Sequence, residues 1–267
     1  MSTMGTQATS GAESNIIVST DHGPVRELRL NRPPVNALTT ELISGLRRTI
    51  EQAPNDGTRG LVLSGAPGMF SAGLDIRLLI GLDRAGITQL WHELYALMKA
   101  LATSPIPIVA AITGHAPAGG TVIALFCDWR VAPRGDFRLG LNEVQVGIPL
   151  PPVILEALRR QVGARHAERL AVGGPIISSE EALNIGLIDE VAPPEQVVDR
   201  ALAWCRGLVA LPPAAMLLTR QRARADLVAL FERDPAEELR TVVDAWWTPE
   251  TQTTLRTIAE RMVKKPA

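Results

Sequence analysis

The order of apolar runs predicts an α/β fold that passes into helices toward the C-terminus. Three observations carry this. First, GLVLS at 60–64, the run IPIVAAI within 106–112 and WRVAP at 129–133 are short, apolar on both faces and bounded by glycine or proline. Such runs read as buried parallel strands. Second, helical stretches separate them, and strand alternating with helix is the α/β signature, with right-handed crossovers. Third, after Pro149 the strand pattern stops and helical patterns fill the chain to Ala267.

Taken in order, IIVST (16–20) and VRELRL (25–30) read as a strand pair about the turn DHGP. NRPPVNAL is a proline-rich loop. TTELISGLRRTIEQA then carries a helical stripe at Leu42, Ile43, Leu46 and Ile50. After the strand at 60–64, GAPGMFSAGLDI is a loop running into a helix, and 86–103 is a long amphipathic helix. IPIVAAITG is the second strand, GHAPAGG a loop, TVIALFCD a short buried helix, WRVAP the third strand, and FRLGLNE approaches a fourth short element. Beyond Pro149, helices are expected over PPVILEALRRQVG, ARHAERLAVGG and SSEEALNIG, the last opening on a Ser178-x-x-Glu181 capping box. A helix through 196–209 follows VAPPEQ, and the remainder is helical with breaks at Pro212, Pro235 and Pro249. No internal sequence repeat is visible. The expected organisation is a disordered leader at 1–14, a core domain at 15–200 and a helical domain at 201–267.

Composition excludes several classes. With 46% hydrophobic and 21% charged residues the chain is of ordinary globular type. A net charge of −1 offers neither a basic surface for nucleic acid nor an acidic solvating block. Cys127 and Cys205 are far apart and form no disulfide or metal pattern, so two buried thiols in a reducing compartment are expected. The most apolar stretch, 104–127, is interrupted by Pro105, Pro107, Gly114, His115, Pro117, Gly119 and Gly120, which argues against a spanning helix. The N-terminus lacks a secretory pattern, so a cytoplasmic, bacterial-type protein is expected.

Three stretches bear chemistry. In MFSAGLD a strand reaches a turn of small residues that opens a helix near Asp75; Ala72 and Gly73 let a ligand approach the main chain. PAGGTVIALFCD repeats that logic at Gly119 and Gly120. Two such turns on adjacent strands could aim two N–H donors at one point, as in an oxyanion hole. Glycine needed only for helix–sheet packing explains the same letters. The third stretch, LGLNEVQVGI, sets Glu143 among apolar residues, where desolvation raises a carboxyl pKa toward the working range of a general base; an exposed or ion-paired loop glutamate is the plainer alternative. Asn142 could orient Glu143 or contact substrate. His22, His92, His115 and His166 show no metal or triad spacing, though His115 precedes the glycine pair. Asp75 and Asp128 read as capping or ion-pairing residues, Trp246 and Trp247 as core or subunit interface, and Lys264 and Lys265 as a solvated tail or a reach toward a phosphate.

NRPPVNAL, FSAGLDI, GHAPAGGTVIALFCDWRVA and LGLNEVQVGI, in this order and spacing over roughly 15–265, resemble the crotonase (enoyl-CoA hydratase/isomerase) superfamily. The wording FSAGLD, PAGG and GLNE-Q-GI is most similar to its mitochondrial-type Δ3,Δ2-enoyl-CoA isomerases. The resemblance implies a spiral of ββα repeats with a helical C-terminal trimerisation domain, assembling as a homotrimer or hexamer. It implies that the backbone N–H groups of Leu74 and Gly119 form the oxyanion hole and that Glu143 is the acid/base. Ala37, Leu38, Ala72, Gly73, Asp75, Ile76, Gly120 and Asn142 would line the substrate and its coenzyme A. It implies no metal and no cofactor beyond the coenzyme A of the substrate.

One departure narrows the reaction. Hydratases of this family carry a first glutamate at the position of Val122, and its dienoyl isomerases carry a further acid at the position of Pro151. Valine cannot position or activate water. The one-carboxylate pattern that remains fits isomerisation of a 3-enoyl-CoA to the 2-trans-enoyl-CoA. An atypical hydratase, or an acyl-CoA-binding member without turnover, are the alternatives; a structural or RNA-binding member is disfavoured by the lack of a basic patch.

Overall fold

The computed structural model describes residues 16–264. The leader expected over 1–14, Lys265 and the side chain of Lys264 lie outside the described residues. β1 (Ile17–His22) and β2 (Val25–Leu30) form an antiparallel hairpin. In α1 (Thr40–Gln52) the Thr39 hydroxyl caps the start by accepting the Leu42 N–H, and the stripe Leu42, Ile43, Leu46 and Ile50 is buried as its spacing predicts.

The chain then repeats one course. β3 (Gly60–Ser64) leads to β4 (Gly68–Met69), α2 (Ile76–Leu79) and α3 (Arg84–Thr103). β5 (Ile108–Ala111) leads to β6 (Gly114–Pro117) and α4 (Gly119–Leu125). β7 (Trp129–Pro133) leads to β8 (Arg138–Gly140) and α5 (Pro152–Gly173), which breaks at Gly163 with φ of 75°. Each course gives its first strand to one sheet and its second to another. After them come β9 (Ile177–Ser178), α6 (Ser179–Asn184), β10 (Glu190–Ala192), α7 (Val197–Val209), α8 (Pro213–Ala223), α9 (Ala225–Ala229), α10 (Ala236–Trp246) and α11 (Pro249–Lys264). The larger sheet runs β1-β2-β3-β5-β7-β10 and is parallel beyond the hairpin; the smaller runs β4-β6-β8-β9. This is the ββα spiral that the resemblance implies.

Side-chain alternation in the larger sheet explains its two-sided apolarity. Leu61, Leu63, Ile108, Ala110 and Ala132 face the main core, with α1, α3 and α4. Val62, Val109, Ala111 and Val131, their immediate neighbours, face Val197, Ala201, Leu202, Cys205 and Val209 of α7. The period of two that places these residues is strand geometry. The expected boundary at 200/201 falls inside α7, whose second half covers this sheet.

Two expectations need correction. Strands do not stop after Pro149: β9 pairs with β8, and β10 pairs in parallel with β7. Both have only two or three residues, too few for a period to register. GHAP within the expected loop GHAPAGG is strand β6. The Ser178 hydroxyl accepts the Glu181 N–H, the first half of the capping box, but Glu181 turns its carboxylate to Arg169 at 3.1 Å. Cys127 and Cys205 are buried free thiols whose pKa burial pushes up to about 12. Trp246 is fully buried in the core, with Trp247 packed against it. Among the described residues no single helix is long and apolar enough to cross a membrane; α7 with α8 reaches that composition only as a pair bent by 111°.

Candidate active site

The smaller sheet places three chain segments side by side. β4 pairs with β6 through Gly68↔Gly114 and Met69↔His115, and β6 with β8 through Pro117↔Gly140, all parallel. The C-terminal ends of these strands therefore deliver FSAGLD, PAGG and LNE to one edge, where ligands of open parallel sheets bind. The approach of β4 to β6 is close because glycines meet there: a Cβ on Gly114 would overlap the Gly68 backbone.

The first turn is held by its neighbours. Leu38 sits opposite Leu74, its N–H donating to Gly73 O at 2.7 Å and its carbonyl accepting the Asp75 N–H at 3.0 Å. Gly73 takes φ of 82°, a conformation glycine adopts without strain, and a Cβ there would lie 2.9 Å from Ala118 Cβ and 3.2 Å from Gly119 N. The FSAGLD and PAGG turns are thus in contact. Ala118 carries φ of 48° and ψ of −120°, an uncommon conformation for a side-chain-bearing residue, held by its N–H on Gly140 O at 2.8 Å. Among the described residues neither Leu74 N–H nor Gly119 N–H has an intramolecular acceptor, whereas Gly73, Asp75 and Ala118 donate to Ser71 Oγ, Leu38 O and Gly140 O. Gly119 and Gly120 are both tightly packed: a Cβ would sit 2.6 Å from Leu38 Cδ1 at the first and 2.7 Å from Ser71 O at the second.

Glu143 follows β8 by three residues and opens a 3-10 turn, Glu143–Val146. Gly147, with φ of 82°, ends that turn, and α11 locks it as Thr251 Oγ1 donates to Gly147 O at 2.9 Å. The residue is half-buried, yet its Oε2 is sealed from solvent and has no hydrogen-bond partner. Desolvation pushes the carboxyl up to about 7, against a lowering from its own backbone N–H. An uncompensated carboxylate is costly to bury, which is why the pKa rises and why so few sites tolerate it.

The other candidate positions divide. Ala37 and Leu38 are buried, with Leu38 Cδ1 reaching the space a Gly119 Cβ would fill. Ala72 and Ile76 are half-buried. Asp75 caps α2 by accepting the Leu78 N–H and pairs with Arg32 at 2.7 Å, the capping and ion-pairing role its position predicts. Asn142 precedes the 3-10 turn and makes no side-chain cap bond. His115 Nδ1 accepts the Arg138 N–H at 3.1 Å and its ring packs on Phe137, tying β6 to β8. Val122 is buried in the core. Asp128 accepts two bonds from Arg220 and one from Arg224, anchoring the α8–α9 region. Sequence reasoning missed Asn36 and Ser71, which lace the first turn; the one visible signal is an asparagine, a residue at ease with left-handed φ, inside a proline-rich loop.

Known proteins resemble this chain over most of its length. The enoyl-CoA hydratase/isomerase family model matches residues 20–261. Mouse mitochondrial enoyl-CoA delta isomerase 1 is 37% identical over 80% of this chain and 75% of its own. The Mycobacterium tuberculosis protein named "Probable enoyl-CoA hydratase EchA17" is 33% identical over 84% of this chain and 85% of its own. The crystal structure of human mitochondrial delta3-delta2-enoyl-CoA isomerase superposes with a TM-score of 0.89 at 31% identity, covering 95% of this chain and all of that one. The likeness extends to relatives carrying both reaction names, and the chain belongs to the enoyl-CoA hydratase/isomerase family of the crotonase superfamily.

Proposed function

We propose that this enzyme is a Δ3,Δ2-enoyl-CoA isomerase acting in fatty-acid oxidation, with Glu143 as its single proton shuttle. The observation that carries the reading is one sealed, unpartnered carboxylate with a pKa near 7, taken together with Val122 at the position where hydratases carry their first glutamate.

In the proposed mechanism the thioester oxygen of a 3-enoyl-CoA accepts the Leu74 and Gly119 N–H groups. Ala37, Leu38, Ala72, Gly73, Asp75, Ile76, Gly120 and Asn142 lie around the thioester and the coenzyme A. Glu143 takes a proton from C2: the C–H bond breaks, its electrons form a C1–C2 double bond, and the carbonyl π pair moves onto the thioester oxygen, leaving a dienolate conjugated with C3–C4. The two donors strengthen as that charge develops; losing one costs about 100- to 1,000-fold in rate at comparable sites. Glu143 then returns its proton to C4, and the double bond comes to rest between C2 and C3. One proton leaves and one arrives, so the step balances without metal or redox cofactor. Val122 keeps this part of the site apolar, which disfavours addition of water to the product. The same reading includes a cytoplasmic protein working as a homotrimer or hexamer, which light scattering of the purified protein tests.

The deciding experiment supplies trans-3-enoyl-CoA and trans-2-enoyl-CoA to wild type and Glu143→Gln and follows the conjugated thioester. Conversion of the 3-enoyl compound that vanishes in Glu143→Gln, with no hydration of the 2-enoyl compound, is expected. Dominant hydration would point to the reaction named for the mycobacterial relative, with water activated by another group. Binding without turnover of either would make the chain an acyl-CoA-binding member.

A further inference from the structure

Asn36 is a polar residue in a buried place, and its φ of 50° lies in the left-handed region. Its amide nitrogen donates to Phe70 O at 3.1 Å and more weakly toward Met69 O at 3.4 Å. Its side-chain oxygen accepts the Arg32 N–H at 2.9 Å. Its own carbonyl accepts the hydroxyl of Ser71, also fully buried, at 2.8 Å, and that hydroxyl accepts the Gly73 N–H at 3.2 Å. Ala72 N–H donates to Val35 O at 3.0 Å. The loop 35–38 is therefore laced along the whole FSAGLD turn, and both residues at the centre of the lacing are side chains the reaction itself does not use.

The lacing has one geometric consequence. Gly73 C=O and Leu74 N–H belong to the same planar trans peptide and point in opposite directions. The bond from Leu38 N–H to Gly73 O, at 2.7 Å, fixes that plane and turns Leu74 N–H away from Leu38. Without it, glycine on one side would let the plane rotate at little cost. The bond needs Leu38 at the right height, and Asn36 and Ser71 set that height.

We propose that Asn36 and Ser71 are positioning residues that aim the Leu74 N–H at the substrate's thioester oxygen. This rests on the reading of Leu74 N–H as an oxyanion donor. Neither side chain touches substrate; Asn36 acts through the Leu38–Gly73 bond, and Ser71 acts through Asn36 and by accepting the Gly73 N–H itself. Orientation errors of this kind act on the developing charge more than on ground-state binding, because the donor strengthens in the transition state.

The test compares full-length wild type with Asn36→Gly, Asn36→Asp and Ser71→Ala. Glycine keeps the left-handed backbone and removes the amide. Aspartate keeps the shape and the acceptor for Arg32 but faces Phe70 O with a second acceptor. Alanine removes only the Ser71 hydroxyl. Three readouts are taken: kcat and KM for a trans-3-enoyl-CoA, melting temperature, and the thioester carbonyl stretch of bound trans-2-enoyl-CoA by Raman difference. Each variant is expected to lose about 10- to 100-fold in kcat, less than outright removal of a donor. KM should change little, and the carbonyl stretch should relax toward that of free thioester, with aspartate failing to rescue. Folded variants that lower only the melting temperature, leaving kcat and the carbonyl stretch at wild-type values, overturn the proposal. Should the Asn36 variants not fold, Ser71→Ala decides alone. A wild type that turns over substrate without shifting the carbonyl also overturns it. A wild type that does neither overturns the oxyanion reading beneath it, a distinguishable failure.

Discussion

Glu143→Gln removes a charge while keeping shape, and its effect on stability can be worked out before any substrate is added. Burial raises the carboxyl pKa from an ordinary 4.5 to about 7. At about 1.4 kcal/mol per unit the raw figure is near 3 kcal/mol, and because the residue as a whole is only half-buried about 2 kcal/mol is expected. The sign follows from proton counting. Between pH 4.5 and 7 the folded chain holds this proton and the unfolded chain has released it. Stability is therefore fully present below 4.5, falls as pH rises through that window, and is lost above about 7. Glutamine never ionises, so the variant lacks this decline. Thermal melts of both proteins across pH should coincide near 4.5, and above 7 the variant should melt higher. About 2 kcal/mol corresponds to roughly 4–8 °C for a chain of this size. Other titrating groups cancel in the difference. The variant should be inactive throughout, and wild-type kcat/KM should rise as pH passes through about 7, when the base deprotonates. Parallel melting profiles, or a kcat/KM limb near 4.5, would refute the claim that this carboxylate is desolvated.

Other outcomes follow from single contacts. Gly73→Ala should keep the fold but lose at least about 100-fold in kcat, because its Cβ would press on Ala118 and Gly119 N where the two turns meet; an unchanged kcat would separate that contact from catalysis. Asp128→Asn leaves Arg220 and Arg224, both well buried, without their carboxylate, and urea titration should show a loss of about 3–5 kcal/mol. Gly114→Ala should collapse soluble yield, since its Cβ would overlap the Gly68 backbone. By contrast Gly207→Ala, in an exposed turn of α7 with nothing within 4 Å, should raise stability by about 0.5–1 kcal/mol in the same titration.

What the sequence reveals about this molecule depends on how far apart the partners are. The centre of the larger sheet, β3, β5 and β7, is readable because those strands are short, mostly apolar runs, and α1 because its stripe recurs at helical spacing. Glu143 stands out as one acid in an apolar stretch, and the same apolar neighbours that draw attention to it raise its pKa. The short strands are different. β4, β6, β9 and β10 have two to four residues each, and β6 contains both a glycine and a proline. They are strands because of what lies beside them, which no local pattern encodes. Ala118 is silent for the same reason: alanine signals no turn, and its backbone is set by Gly140, 22 positions away. Asn36 shows as a polar letter in a loop, but its partner Phe70 lies 34 residues on.

Those silent elements are where the site is assembled, and the spiral explains why. Each course of the chain adds one strand to the smaller sheet directly beside the last, so the segments leaving β4, β6 and β8 are adjacent however far apart they are in sequence. Strands this short contribute little pairing energy of their own. Their register is imposed by the longer strands β3, β5 and β7 that precede them and by glycine contacts, at Gly68 with Gly114 and at Gly73 with Gly119, that admit only one spacing. The larger sheet thus supplies the rigidity and the smaller one the geometry. A change in the packing of Leu61, Leu63 or Ile108, well inside the core, should accordingly reach the turns through a rigid strand and move both donors together. A change in the lacing at Asn36 or Ser71 should instead move one donor relative to the other.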